Sequence, residues 1–136
     1  MSRDPAEEEG AMKLLLIEDD VRVAQVLADA FEADGHETAI RHTGEDGLAY
    51  LTIERPDAVV LDVRLPTMNG VAVLRRIRST DPRLPVIIMT GLATPEEIAE
   101  ARHLGVTEII EKPEVLKNFS DALARVPSRG RVQDAT

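Results

Sequence analysis

The sequence predicts an α/β fold, a doubly wound five-stranded parallel sheet with helices on both faces. Short apolar runs, continuous rather than alternating, are typical of strands that are buried on both faces. They are LLLI at 14–17, AVVL at 58–61, VIIM at 86–89 and II at 109–110. Segments with helical patterns separate these runs, and strands that alternate with helices favour right-handed crossovers between parallel strands.

Local signals give the elements in order along the chain. Strands are predicted over 13–17, 37–40, 58–61, 86–89 and 107–110, and helices over 21–33, 44–55, 71–78, 95–104 and 115–125. Gly35 is a suitable stop for the first helix, and Thr43 is an N-cap for the second. Helix 3 follows the turn at 66–70. Helix 4 has the clearest start, with Thr94 as N-cap and Glu97 closing a capping box around a proline at the first helical position.

Length and charge define the class of protein. A chain of 136 residues predicts one domain, placed over 12–126, with a disordered acidic extension at 1–11 and a flexible tail at 127–136. The net charge of -9 disfavours a nucleic-acid surface, which needs clustered Lys and Arg. The chain has no Cys and no apolar run long enough to span a membrane, so we expect a soluble cytoplasmic protein.

Polar residues with distinctive chemistry follow four of the five strands. Glu18 and Asp19 come after strand 1, Asp62 after strand 3, Thr90 after strand 4 and Lys112 just after strand 5. The carboxyl ends of parallel strands line one crevice in an open α/β sheet, so these residues should converge there. An acidic pocket with one lysine and one hydroxyl suits a divalent cation, best Mg²⁺, and a phosphoryl group.

Each of these residues also has an ordinary explanation when it is taken alone. Acids favour the start of a helix, where Asp20 is a natural N-cap. Thr90 suits a strand because it is β-branched, and Lys112 suits a solvated surface. The combination is harder to explain, because three neighbouring carboxylates repel one another unless a cation offsets their charge.

The strings LLLIEDD, VVLDVRLPTMNG, PVIIMTG and EKP, in this order, resemble the receiver domain of two-component response regulators. The resemblance covers about residues 12–126. It implies the CheY-like, flavodoxin-like architecture with strand order 2-1-3-4-5. It also implies that Asp62 is the phosphoacceptor, that Lys112 contacts a phosphoryl oxygen, and that Thr90 hydrogen-bonds another and moves on activation.

The resemblance further implies a metal site. Glu18, Asp19 and Asp62 would hold Mg²⁺ together with the backbone carbonyl of Arg64. Ile109 departs from the family pattern: it stands three positions before Lys112, where the family usually has Tyr or Phe. Phosphorylation would then reach the effector-binding face without an aromatic side chain that moves.

The function that the resemblance implies is a stand-alone response regulator receiver in a phosphorelay. Its partners would be a histidine kinase or a histidine phosphotransfer protein, and a downstream protein effector that contacts the helix 4–strand 5–helix 5 face. It would be a monomer or a phosphorylation-dependent dimer. It would not be an enzyme in the usual sense, because it catalyses only its own aspartyl phosphorylation and dephosphorylation.

The sequence leaves two other functions open and disfavours two more. A phosphorylation-independent interaction module and a receiver fragment of a longer protein stay open. An aspartyl phosphohydrolase is disfavoured because Arg64 stands where a second Asp is needed, and a nucleotide or flavin site is disfavoured because neither GxGxxG nor GxxxxGK[ST] occurs. The three histidines show no metal-ligand spacing and are expected at the surface, as is the basic face of helix 3, which includes Arg78.

Overall fold

The structure, a computed structural model, describes residues 10–111 and 125–127. Three predictions therefore lie wholly or largely outside the described residues. They concern Lys112, the fifth helix over 115–125, and the two terminal segments, 1–11 and 127–136.

The described elements form one parallel sheet with helices around it. The strands are β1 (Lys13–Ile17), β2 (Glu37–Arg41), β3 (Ala58–Asp62), β4 (Val86–Thr90) and β5 (Glu108–Glu111), in the order β2-β1-β3-β4-β5. The helices are α1 (Val21–Ala33), α2 (Gly44–Leu51), α3 (Gly70–Thr80) and α4 (Pro95–Leu104). The predicted fold class and the predicted strand order are both confirmed.

The sheet separates two apolar layers, because successive residues of a strand point to opposite faces. Leu14 and Leu16 of β1 lie in the layer with Phe31 of α1, whereas Leu15 and Ile17 lie in the other layer. That second layer holds apolar residues of α2, α3 and α4. The buried, uninterrupted apolar strands that the sequence predicted are therefore explained by helices on both faces.

Element ends differ from the predictions by a few residues. Helix α4 starts as predicted, with the Thr94 side chain accepting from the Glu97 N–H in a complete capping box. Helix α3 is longer than predicted, because the side chain of Asn69 caps it by accepting from the Val71 N–H at 2.7 Å. Strands β3 and β4 each extend by one residue, so that Asp62 and Thr90 are the last residues of their strands rather than the first of the following loops.

The topology brings the ends of β1 and β3 together. Strand β1 has β2 on one side and β3 on the other, so the chain changes direction across the sheet beside β1. The parallel register pairs Ile17 with Leu61, which directly precede Glu18 and Asp62. Ligand sites of open α/β sheets lie at such a switch point.

Candidate functional site

Three carboxylates meet at the end of β1 and β3. Each of Glu18, Asp19 and Asp62 offers an oxygen atom, and these atoms lie within 4.8 Å of one another. Glu18 is 0% and Asp62 1% exposed, whereas Asp19 is exposed. The two buried acids thus form the floor of the cluster and Asp19 forms its solvent side.

Backbone contacts hold the β1 end of the cluster. The Glu18 N–H donates to the Arg41 carbonyl at 3.0 Å, which continues the pairing with β2 beyond the end of β1. The Glu18 carboxylate accepts from the Asp20 N–H at 3.0 Å. Asp20 itself is the N-cap of α1, because its side chain accepts from two N–H groups of the first turn. The ordinary explanation therefore holds for Asp20, whose carboxylate serves the helix.

The loop after β3 is fitted closely to Asp62. The Arg64 N–H donates to Asp62 Oδ1 at 3.1 Å, and the Gly70 N–H donates to the Val63 carbonyl at 2.8 Å. A Cβ atom on Gly70 would lie 2.3 Å from the Asp62 carbonyl oxygen. Only glycine allows this close approach of α3 to the end of β3, and the approach fixes the loop that carries Arg64.

Thr90 lies at the end of the neighbouring strand, where β3 and β4 pair Asp62 with Met89. It is 4% exposed, and its Oγ1 accepts from the Ala93 N–H at 2.8 Å. Since a hydroxyl both accepts and donates, its O–H can still donate toward the end of the sheet. On β5, Ile109 is half-buried against the apolar layer that includes α4. Lys112, the remaining predicted site residue, lies outside the described residues.

The contacts of the Arg64 side chain are not predictable from the sequence. Its two Nη atoms donate to the two carboxylate oxygens of Glu97, at 2.6 and 3.0 Å, and Nη2 also donates to the Leu92 carbonyl at 2.9 Å. Asn69 Nδ2 donates to the same carboxylate at 2.9 Å. Hydrogen bonds from the backbone of Thr94, from Asn69 and from Arg64 hold the pKa of Glu97 below its ordinary value. No sequence signal identifies a pair 33 residues apart.

Two residues expected at the surface are partly buried. His36 accepts a hydrogen bond on Nδ1 from the Met12 N–H at 3.1 Å, and burial lowers its pKa although Asp34 opposes the shift. Arg78 donates to the carbonyls of Leu104 and Gly105, at the end of α4. The expectation of a fully solvated arginine face was wrong for Arg78, because its charge is used to cap a neighbouring helix.

The donor set of the cluster fits a hard divalent cation. All three groups are carboxylates, and oxygen is the ligand that Mg²⁺ and Ca²⁺ prefer. Mg²⁺ is usually bound by one or two carboxylates together with waters and phosphate, and one face of this cluster is open to solvent.

No helix within residues 10–111 and 125–127 is both long enough and apolar enough to cross a membrane.

Comparisons with known proteins point to one family. The sequence model of the response regulator receiver domain matches residues 14–124. The chain is 32% identical over 113 residues to sporulation initiation phosphotransferase F of Bacillus subtilis, covering 83% of this chain and 91% of that protein. It is 38% identical over 123 residues to the transcriptional regulatory protein AfsQ1 of Streptomyces coelicolor, covering 90% of this chain but only 54% of the relative. The chain thus spans about half the length of AfsQ1.

Solved structures with the same fold include two receivers. A response regulator receiver domain protein from Clostridium thermocellum superposes with a TM-score of 0.80 at 28% identity, covering 89% of this chain and 98% of that one. The chemotaxis response regulator CheY4 of Vibrio cholerae gives a TM-score of 0.77 at 25% identity, covering 85% and 98%.

Proposed function

The chain belongs to the family of response regulator receiver domains of two-component systems, and we propose that it is a phosphorylation switch whose phosphoacceptor is Asp62. The observation that carries the proposal is the position of this carboxylate. Asp62 ends the central strand β3, is 1% exposed, and has an oxygen within 4.8 Å of oxygens of both Glu18 and Asp19. No other group of at least three metal-binding side chains occurs in the part of the chain that the structure describes.

The proposed reaction is the transfer of a phosphoryl group from a phosphohistidine to Asp62. A carboxylate oxygen of Asp62 forms a bond to phosphorus while the bond from phosphorus to the donor nitrogen breaks. The electron pair of that bond stays on the imidazole nitrogen, which takes up a proton. Beyond the Asp62 nucleophile, the protein contributes positioning and neutralisation of charge. The Arg64 N–H donates to Asp62 Oδ1 and so restrains the orientation of this carboxylate, which supports the proposal.

Mg²⁺ is the proposed cofactor. Glu18, Asp19, Asp62 and the backbone carbonyl of Arg64 would hold it, and when bound it would offset the repulsion among carboxylates and phosphoryl oxygens. Lys112 is proposed to contact a phosphoryl oxygen. Thr90 is proposed to donate its O–H to another, since its oxygen already accepts from the Ala93 N–H.

The proposed partners follow from the family. A histidine kinase or a histidine phosphotransfer protein would supply the phosphoryl group, and an effector protein would bind the face formed by α4, β5 and the predicted fifth helix. The near-complete coverage of sporulation initiation phosphotransferase F supports a receiver that acts by itself. The partial coverage of AfsQ1, a transcriptional regulatory protein, supports the alternative of a receiver within a longer regulator. We propose the first arrangement, with catalysis limited to its own phosphorylation and dephosphorylation.

The test is Mg²⁺-dependent phosphorylation by acetyl phosphate or phosphoramidate, followed by intact mass. Wild type should gain one phosphoryl group, and Asp62→Asn should gain none. Asp57→Asn is the matched control. Asp57 is also a buried acid, but it lies just before the first residue of β3, at the end of the strand opposite Asp62. A modification that persists in Asp62→Asn, or no modification of wild type, would contradict the proposal and favour an interaction module that works without phosphorylation.

A further inference from the structure

Arg64 connects the proposed phosphorylation site to the start of α4. Its backbone N–H binds Asp62 Oδ1, while its side chain leaves the β3–α3 loop and reaches Glu97 in the first turn of α4. The same guanidinium holds the Leu92 carbonyl in the β4–α4 loop. One residue therefore contacts both the reacting carboxylate and the element that follows β4.

Glu97 is the centre of the second half of this connection. Its carboxylate accepts from the Thr94 N–H at 2.9 Å, from Asn69 and from both Nη atoms of Arg64. Helix α4 has little apolar anchorage, since Ala101 is its one fully buried residue. Leu104 is partly buried against the second apolar layer, and polar contacts with the loop after β3 and with α3 also hold α4.

The Arg64–Glu97 pair is suited to exchange. The side chains are 44% and 20% exposed, so solvent screens the pair and its contribution to stability is modest even though its geometry is bidentate. A phosphoryl group carries about 1.5 to 2 negative charges and three strong acceptor oxygens, so it attracts a guanidinium more strongly than one carboxylate does. A phosphoryl group on Asp62 would lie two residues from Arg64, which carries this guanidinium.

We propose that Arg64 exchanges partners: its guanidinium holds Glu97 and the Leu92 carbonyl in the resting protein and turns to the phosphoryl group when Asp62 is modified. The exchange frees the β4–α4 loop and loosens the attachment of α4 to the loop after β3. The exchange would couple the phosphorylation site to α4 in a chain that has isoleucine at position 109, where the family usually has an aromatic residue. The inference rests on the proposed phosphorylation of Asp62.

Thermodynamic linkage makes the exchange measurable. If phosphoryl binding must break the Arg64–Glu97 pair, then removing the pair in advance must tighten phosphoryl binding by the same factor. Beryllofluoride, a non-covalent mimic of a phosphoryl group, allows this factor to be read as an equilibrium constant. The experiment is a titration of the full chain with beryllofluoride in excess Mg²⁺, followed by amide NMR.

The decisive variant is Glu97→Gln, which removes the charge but keeps a residue that completes a capping box. We expect beryllofluoride to bind this variant about 2- to 5-fold more tightly than wild type, because that factor corresponds to the free energy that an exposed ion pair contributes. Glu100→Gln is the matched control. Glu100 lies one turn further along α4 and pairs with Arg75 on α3, away from the site, so this variant should bind like wild type.

The background variant Arg64→Ala separates the exchange from a general charge effect. Glu97→Gln should give no gain in an Arg64→Ala background, whereas a simple loss of negative charge would give the same gain there. Thermal midpoints of all variants identify any effect that is merely structural. The proposal is overturned if Glu97→Gln binds like Glu100→Gln, or if its gain persists without Arg64. Binding to wild type that is absent or indifferent to Asp62→Asn would overturn the proposed function as well.

Discussion

Neighbouring acids of the same chemistry have different surroundings in this protein. Glu18 is buried and lies on the floor of the cluster, Asp19 is exposed at its open side, and Asp20 caps α1. The backbone decides these roles, because the chain leaves β1 at Glu18 and enters the helix at Val21. The N-cap role of Asp20 is predictable from the sequence, whereas the burial of Glu18 and the exposure of Asp19 depend on the folded backbone.

Gly70 supports the site by having no side chain, and a substitution there should be costly. A Cβ atom would meet the Asp62 carbonyl oxygen at 2.3 Å and the Val63 Cα at 2.7 Å, both of which are backbone atoms. We expect Gly70→Ala to lower the free energy of unfolding by about 1–3 kcal/mol in urea titrations.

Gly47→Ala is the comparison for this prediction. Its Cβ would also come within 2.3 Å of another atom, but that atom is the terminal methyl of the Ile17 side chain, which can change rotamer. Gly47 lies inside α2, where alanine gains about 1 kcal/mol of helix propensity over glycine. An equal or larger loss for Gly47→Ala than for Gly70→Ala would show that backbone contact at Gly70 is not the constraint.

At the scale of elements, the predictable features are those that depend on local signals. The start of α4 follows from Thr94, Pro95 and Glu97, three residues close in sequence, and the structure shows the complete capping box. The predicted start of α3 at residue 71 is one residue late although Asn69 is a strong N-cap type, because the segment before the helix has the composition of a turn. The predicted ends of β3 and β4 are each one residue early, because the strand pairing continues beyond the apolar run to Asp62 and Thr90.

The capping box of α4 gives a prediction about this helix. Thr94→Ala removes the side-chain oxygen that accepts from the Glu97 N–H and should cost about 1 kcal/mol of unfolding free energy. Thr94→Ser keeps that oxygen and should cost much less. Amide hydrogen exchange should locate the change in the first turn of α4, and a change spread over the whole chain would contradict this assignment.

At the scale of the molecule, two apolar layers on either side of the sheet leave the carboxyl ends of the strands for polar chemistry. The repeated apolar runs made this arrangement predictable, including the convergence of residues far apart in sequence. The Arg64–Glu97 pair was not predictable. It depends on how two loops lie against each other, and many arginine and glutamate residues in the chain offer equally plausible pairs.

The acidic cluster predicts that Mg²⁺ stabilises the folded protein. Above its dissociation constant, each tenfold increase in Mg²⁺ should add about 1.4 kcal/mol of unfolding free energy, because the ion binds the folded state. Asp19→Asn should remove most of this gain. Asp20→Asn loses the same charge one residue away but keeps a good N-cap, so it should respond to Mg²⁺ much like wild type. Equal responses of the two variants would contradict the assigned site.

Acid should destabilise the protein partly through His36. Burial lowers the pKa of this residue, so between its folded pKa and the unfolded value of about 6.5 the unfolded chain binds more protons. The free energy of unfolding should therefore fall as pH decreases below about 6.5. His36→Asn keeps an acceptor for the Met12 N–H and should lose less stability between about pH 7.5 and about pH 5.5. An unchanged loss in urea titrations would contradict this role.

The most direct measurement of the central claim is chemical mapping of the phosphorylated residue. Borohydride reduces an acyl phosphate to an alcohol, so phosphorylated aspartate becomes homoserine, which peptide mass mapping identifies. After treatment with acetyl phosphate and Mg²⁺, we predict homoserine at position 62 and at no other aspartate. Homoserine elsewhere, with Asp62 intact, would contradict the account and leave the acidic cluster without the role proposed for it.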